Sequence, residues 1–424
     1  MRKLIKGIII NPKRDYTVDV FRDGYLLIDE NGKIENIIEQ EIQLNGIKFD
    51  IFFDFSQKIL IPGLIDLHTH IPQFNAIGLG EGELLDWLSN YIFPLETKFN
   101  NEQFAYQNTK LFFKELVSKG TTTAVLYTSP QKTACDIAFQ VAEEYQLRAF
   151  IGMPFMDSNS PEALKQETEV VINDISDLAK KWHKKGKLEF VLTPRFALSC
   201  SAVLMRKIGE IARSDDFFVQ SHIAENKLEI ELVRKHFPNS ANYAEVYDKY
   251  GLLTEKTILA HCIYLDDSEL NLIKERNCII AHCPNSNKFL SSGIMPLQKY
   301  LSQGLKVGIG TDVAAGYSLS MLNECMEAKE MSKILSLLGD TNAKVDTRTV
   351  LCLATIKAAE HLGISEQVGN FEQGKAADFA VFELPEYRDL ISMNDDDLLN
   401  ALLYNIDRRK AQAVFIDGNL VAQE

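Results

Sequence analysis

One pattern repeats along most of this chain: a short, unbroken apolar run followed by a segment with helical periodicity. Eight such runs can be picked out, at 60–66, 122–127, 148–153, 189–193, 217–221, 257–260, 278–281 and 306–310. Short apolar runs without polar alternation are what a parallel strand buried on both faces requires. Helical segments lie between most of them, for example at 102–119, 161–182 and 202–214. Eight strand–helix units over ~250–300 residues predict a TIM-like (β/α)8 barrel, an α/β fold.

The two ends of the chain read differently. Residues 6–10, 25–29 and 34–38 are strand-like, and Asn31-Gly32 is a hairpin turn signal. Near the C-terminus, 377–382 reads as a strand, and 413–416 and 420–422 flank Asp417-Gly418-Asn419 as a hairpin. The expected organisation is therefore a catalytic barrel over 60–362 and a small composite β-sandwich domain built from 1–59 and 363–424.

Composition narrows the function. The net charge of −14 argues against nucleic acid as the main partner and against an anionic membrane surface. No apolar run approaches the ~18 residues that span a bilayer. The apolar run at 7–10 is also shorter than the ~7–15-residue core of a secretory leader. The seven Cys are scattered, which fits reduced thiols in a cytoplasmic protein better than a disulfide framework. There is no G-x-x-x-x-G-K-[ST] phosphate loop, and neither ATP nor a nicotinamide cofactor is expected.

On a barrel of this kind chemistry gathers where strands end. After the first run come His68-Thr69-His70, whose alternate side chains share a face and point into the barrel mouth. His222 follows the fifth run, with Glu225 three residues on; His261 follows the sixth and Asp312 the eighth. A lone His at a strand end is usually an ordinary packed or exposed polar residue, and His282 after the seventh run is read that way. His183, His236 and His361 fall in helical or loop segments and are given no catalytic role. His68, His70, His222, His261 and Asp312 at one rim are another matter. Imidazoles plus one carboxylate suit zinc, or iron, rather than magnesium or calcium, which prefer oxygen shells. Such a metal lowers the pKa of a bound water from ~15.7 toward ~7. Glu225, beside His222 but not itself a ligand, can move protons.

These residues sit in motifs that resemble a known family. Pro62-Gly-Leu-Ile-Asp-Leu-His-Thr-His is similar to the first-strand metal motif of the amidohydrolase superfamily. Within it, several segments resemble the guanine deaminase family: His68-Thr-His-Ile-Pro-Gln-Phe, Trp87-Leu-Ser-Asn-Tyr-Ile-Phe-Pro-Leu-Glu, Thr193-Pro-Arg-Phe-Ala-Leu-Ser-Cys, Ser221-His-Ile-Ala-Glu-Asn, Ala281-His-Cys-Pro-Asn-Ser-Asn and Gly310-Thr-Asp-Val-Ala-Ala-Gly. Gly374-Lys-Ala-Ala-Asp resembles the superfamily's C-terminal sheet segment. The resemblance implies zinc-dependent hydrolysis of guanine at C2 to xanthine and ammonia, in purine catabolism. It implies one Zn2+ per chain, with iron as the other possibility, held by His68, His70, His222 and Asp312. It gives His261, Glu225 and Asp312 catalytic roles, with Glu225 as proton shuttle. It places Gln73, Arg195 and Phe196 against the purine, together with His222, Glu225 and Asp312. The partner implied is a small-molecule substrate, and the assembly a homodimer. Some binuclear members carry a bridging modified Lys after the fourth strand; Thr193-Pro-Arg-Phe stands there instead, in keeping with one metal.

Guanine chemistry suits these side chains. Its O6 and N7 acceptors lie on one edge, which an Arg fork can read. Gln73 offers both a donor and an acceptor, and Phe196 an apolar face. Two other readings stay open from the residues alone. One is another aminohydrolase, acting on 8-oxoguanine, a pterin, cytosine or a triazine. The other is a barrel that has lost catalysis and serves as a scaffold.

Overall fold

The computed structural model of the chain describes residues 1–80, 82–214, 216–385, 390, 392–404 and 410–423. Four strands come first: β1 (Lys3–Pro12), β2 (Val18–Ile28), β3 (Ile34–Ile38) and β4 (Ile51–Pro62). The barrel follows with β5 (Leu64–His70), β6 (Thr121–Tyr127), β7 (Arg148–Gly152), the short β8 (Pro154–Phe155), β9 (Leu188–Pro194), β10 (Phe218–Ile223), β11 (Thr257–His261), β12 (Ile279–His282) and β13 (Lys306–Ile309). The last strands are β14 (Phe379–Phe382), β15 (Ala413–Ile416) and β16 (Asn419–Gln423).

The eight strands β5, β6, β7, β9, β10, β11, β12 and β13 pair in parallel, each with its neighbour in chain order, as the repeated apolar runs predict. Helices such as Glu102–Ser118, Lys132–Glu144 and Ala202–Ser214 return the chain between strands. The barrel interior is a packed core: Leu67, Val125, Phe150, Val191, Phe218, Ile258 and Ile279, one from each of seven strands, form one buried cluster. On the eighth strand a Cβ at Gly308 would lie 2.3 Å from Leu67 Cδ1, so glycine makes room for that side chain. Beyond β13, the Asp312 N–H donates to the His68 carbonyl at 2.8 Å, which joins the last strand's loop to the first strand.

The N- and C-terminal strands form one mixed seven-stranded sheet in the order β16-β15-β14-β4-β1-β2-β3. β4 pairs with β1 in parallel and with β14 in the antiparallel sense, so the two chain ends meet across β4. Ile5, Leu26, Phe55, Phe379 and Phe415 pack as a core of this sheet. The turn at Asp417 and Gly418, both with positive φ (47° and 68°), joins β15 to β16 as the sequence predicts.

Some boundaries differ from the sequence expectation. The apolar run at 60–66 is two strands, the end of β4 and the start of β5. The join is Gly63, where a Cβ would lie 2.0 Å from Thr122 Oγ1. Unbroken hydrophobicity hid this break, and the first half of β4 was not foreseen. β5 runs through His70, so the two histidines lie on the strand rather than after it; His222 likewise lies within β10, and His261 ends β11. The helix expected at 161–182 is Thr168–Trp182. The residues before it are held by tertiary bonds instead: Gln166 N–H donates to the Met156 carbonyl at 2.8 Å and its side chain to the Pro130 carbonyl at 2.7 Å. Among the described residues no helix is long and apolar enough to cross a membrane.

Candidate active site

The residues singled out from the sequence converge at the C-terminal rim of the barrel. His68 and His70 project from β5, with Nε2 atoms 3.2 Å apart. His222 on β10 brings its Nε2 to 3.2 Å from that of His70. Asp312 Oδ1 lies 3.2 Å from both His68 Nε2 and His70 Nε2. His68, His70 and Asp312 are buried and His222 is partly buried.

Local bonds aim these groups. His222 Nδ1 lies 2.6 Å from the Arg195 carbonyl, which can only accept, so Nδ1 carries the proton and Nε2 presents a lone pair. Burial pushes the His222 pKa well below its usual value and that of His70 down to about 3, so both imidazoles are neutral. Burial pushes the Asp312 carboxyl up, but hydrogen bonds from His68 and His70 outweigh it and hold Asp312 well below the usual range. The Nε2 atoms of His68, His70 and His222 and Asp312 Oδ1 are all able to turn a lone pair toward a shared cation, with neighbouring atoms 3.2 Å apart. With Zn–N and Zn–O distances of ~2.0–2.1 Å, ligand atoms at the corners of a tetrahedron are about 3.3–3.4 Å apart. The donor set therefore fits such an ion. A second grouping of one atom each from His68, His222, His261 and Asp312 is looser, spread over as much as 4.8 Å. His70 Nε2, at 3.2 Å from His68 Nε2, His222 Nε2 and Asp312 Oδ1, adjoins three of these four residues.

His261 stands just outside it. Its Nδ1 is 2.9 Å from Asn287 Oδ1, while its Nε2 is buried without a hydrogen-bond partner, 3.3 Å from Glu225 Oε2 and 3.8 Å from Asp312 Oδ2. Ser292 donates its hydroxyl to Glu225 Oε1 at 3.2 Å. Burial, then the nearby Asp312 charge, pushes the Glu225 carboxyl well above its usual range. The site thus holds one carboxyl poised to keep a proton and one poised to remain ionised, the arrangement that general acid–base chemistry needs. Ala224, His261, Cys262 and Asp312 all have positive φ, between 44° and 72°. Left-handed backbone at non-glycine residues costs on the order of 1–3 kcal/mol each, and here it gathers where the site is built.

The cavity above these groups is lined by Gln73, Arg195 and Phe196 as well as His70, His222, Glu225, His261 and Asp312. Gln73 sits on a 3-10 turn (Ile71–Ala76) and accepts the Ala314 N–H at 3.4 Å. Beside Glu229, Leu290 and Ala315, the remaining wall is formed by Leu84, Trp87 and Leu88. They belong to a segment that passes from an α turn (Leu84–Trp87) into a π turn (Leu88–Ile92), and Trp87 Nε1 donates to the Leu79 carbonyl at 2.9 Å.

Several participants escaped the sequence reading. Asp66 accepts from His68 N–H, Thr311 N–H and Thr311 Oγ1 (3.1, 3.0 and 2.6 Å) and so ties β5 to the segment carrying Asp312. Glu229 accepts from the N–H groups of Glu225 and Asn226 (2.9 and 3.2 Å) and from the Tyr243 hydroxyl (2.7 Å), which fixes the Glu225 loop. Tyr127 lies under three imidazoles, with ring centroids 4.5–5.0 Å away. Glu96, buried, pairs with Arg195 at 2.6 Å. Asp66 and Glu96 stand inside the family-like segments quoted above, and the three-residue spacing of Glu229 after Asn226 is a capping-box pattern.

A parallel barrel with histidines and an aspartate at one rim is an arrangement that could hold a metal ion and fits a hydrolase. The sequence profile of the amidohydrolase family matches residues 59–421. The guanine deaminase of Homo sapiens is 35% identical over 442 residues, covering 99% of this chain and 96% of that protein. That of Escherichia coli strain K12 is 33% identical, covering 97% and 94%. The crystal structure of guanine deaminase from C. acetobutylicum, with guanine bound in its active site, superposes with a TM-score of 0.93 at 33% identity over 100% of both chains. The chain belongs to the amidohydrolase family and, within it, to the guanine deaminases.

Proposed function

We propose that this chain hydrolyses guanine at C2 to xanthine and ammonia, with one Zn2+ held by His68, His70, His222 and Asp312. The observation that carries this reading is one pocket at the barrel rim in which His70, His222 and Asp312, with His68 beside them, face an Arg, a Gln and a Phe suited to a purine. A zinc ion bound there would acidify water and so would supply a nucleophile at neutral pH. Iron is the alternative occupant.

The residues divide the remaining work. Arg195 and Gln73 hydrogen-bond the polar edge of the base, and Phe196 packs on its face. Glu225 takes the first proton of the attacking water and gives it to N3, as the water oxygen bonds to C2. Asp312 takes the second proton and passes it to the departing amine, which leaves as ammonia while the C2 carbonyl forms. His261, with its Nε2 free of other bonds, holds the attacking water in line. Every atom of the water is accounted for: its oxygen becomes the C2 carbonyl, one proton stays on N3 and the other leaves with nitrogen.

Metal analysis with ammonia release from guanine, adenine, cytosine and 8-oxoguanine tests this. About one zinc or iron per chain and a clear preference for guanine are expected. Chelation should abolish turnover and lower the melting temperature, since a ligand at 100 times its Kd adds about 2.7 kcal/mol to stability. Efficient adenine turnover, activity after complete metal removal, or two essential metals would overturn the assignment. The seven cysteines are buried and unpaired, which supports a reducing compartment, the cytoplasm. The family resemblance supports a homodimer, which light scattering of the purified chain tests.

A further inference from the structure

The proposed base-reading residues share a partner that has no assigned role. Glu96 comes from the short helix Phe93–Thr97, which follows directly on the π turn in the cavity wall. Its side chain is 1% exposed and that of Arg195 is 3% exposed. Glu96 Oε2 accepts from Arg195 Nη1 at 2.6 Å, and Oε1 faces Gln73 Nε2 at 3.5 Å. The same helix lays Phe93 under the guanidinium, 5.2 Å from ring centroid to Cζ. One carboxylate therefore touches both polar residues assigned to the base.

Two consequences follow from the chemistry. The first is geometric. Gln73 accepts the Ala314 N–H through Oε1 and turns its Nε2 toward Glu96. A carboxylate offers only acceptors, so it fixes the amide orientation of Gln73 and one side of the Arg195 fork. The remaining donors of both residues are left for the base. The second consequence is electrostatic. A buried guanidinium without a counter-charge attracts anions strongly, because the interior screens charge poorly. Guanine is neutral near pH 7, whereas xanthine, with a second ring carbonyl, is the stronger acid and ionises more readily.

Resting on the function proposed above, we propose that Glu96 is a positioning residue that sets substrate selectivity: it orients Arg195 and Gln73 as donors to a neutral purine and cancels the charge that would otherwise retain the anionic product. In Glu96→Gln the new amide keeps one acceptor for Arg195 but opposes a donor to Gln73 Nε2. Gln73 must then turn and abandon Ala314 N–H.

The experiment measures guanine KM and kcat, xanthine inhibition at neutral and mildly alkaline pH, and metal content, for the wild type, Glu96→Gln and Glu96→Asp. A group misplaced by about 1 Å costs on the order of 10²-fold, so kcat/KM for guanine should fall by about that factor in Glu96→Gln, mostly through KM. Xanthine should bind more tightly to this variant, the more so at alkaline pH, with metal retained. Glu96→Asp keeps the charge but shortens the reach, so KM should rise without tighter xanthine binding. Should Glu96→Gln fail to fold, a normal KM in Glu96→Asp overturns the inference and a raised one with unchanged xanthine binding supports it. Unchanged KM in Glu96→Gln, or parallel weakening of guanine and xanthine, would overturn it while the wild type remains an active guanine deaminase. A wild type that releases no ammonia from guanine would instead remove the functional reading on which the inference rests.

Discussion

Glu225 and Arg195 show how far a single residue's role depends on what it touches. Glu225 lies 3.3 Å from His261 and outside the four-donor cage. Glu225→Gln keeps its shape but cannot carry a proton. General acid–base catalysis contributes ~10²–10⁴-fold, so kcat should drop by that range while metal stoichiometry and guanine affinity stay. Loss of metal would make Glu225 a ligand. Arg195 is less simple. Its loss removes a proposed base contact and also leaves Glu96 buried without its cationic partner, which typically costs about 3–5 kcal/mol. Arg195→Met should therefore lose both stability and turnover. Adding Glu96→Leu should restore most of the stability in urea unfolding and none of the turnover. Recovery of both would make Arg195 purely structural. The histidines, Asp312 and Glu225 were legible in the sequence because strand ends collect chemistry on this fold. Glu96 and Asp66 stand inside the family-like segments, but their roles were not legible, because acidic residues are common and only burial beside Arg195 and Thr311 distinguishes these two.

At the level of elements, strands carry the imidazoles proposed to face a metal, and the segments after the strands carry Asp312 and the residues proposed to face the base. β5, β10 and β11 hold His68, His70, His222 and His261 on rigid backbone, while Gln73, Arg195 and Phe196 stand on the turns that follow β5 and β9. The helix Ile356–His361 supports this frame from outside, with His361 Nε2–H donating to the β13 carbonyl of Val307 at 3.2 Å. Burial lowers the His361 pKa from 6.5 to about 3. Between those values the unfolded chain binds a proton that the folded chain refuses. The stability contributed by neutral His361 is thus complete above pH 6.5 and declines as pH falls toward 3. His361→Gln keeps a donor but does not titrate, so its melting temperature should fall less steeply than that of the wild type between about pH 7 and pH 5. Identical slopes would remove His361 from the acid response.

For the whole molecule the decisive event is closure, which brings β13 and its loop against β5. Gly310 lies at that seam: a Cβ there would be 2.8 Å from His68 Cβ and 2.9 Å from His68 N. His68 is held by Asp66 and cannot retreat. Gly310→Ala should destabilise by roughly 1–3 kcal/mol, the usual cost of overpacking, and should lower metal content by moving His68 from Asp312. Unfolding curves and metal analysis on one preparation check both, and a fully metallated variant of wild-type stability would show that the seam yields.

The sequence by itself determined the barrel, its strand count, the sheet at the chain ends and the rim that carries the chemistry. Those properties follow from local periodicity and from the small number of ways in which parallel strands can close. It did not determine that one apolar run is two strands parted at Gly63, that residues before Thr168 stay out of a helix, or which wall closes over the site. Nor did it reveal the buried carboxylates that aim the functional groups. Those outcomes depend on contacts between residues far apart in the chain, such as Glu96 with Arg195 and Asp66 with Thr311, and no local pattern encodes which distant donor a buried acceptor will meet.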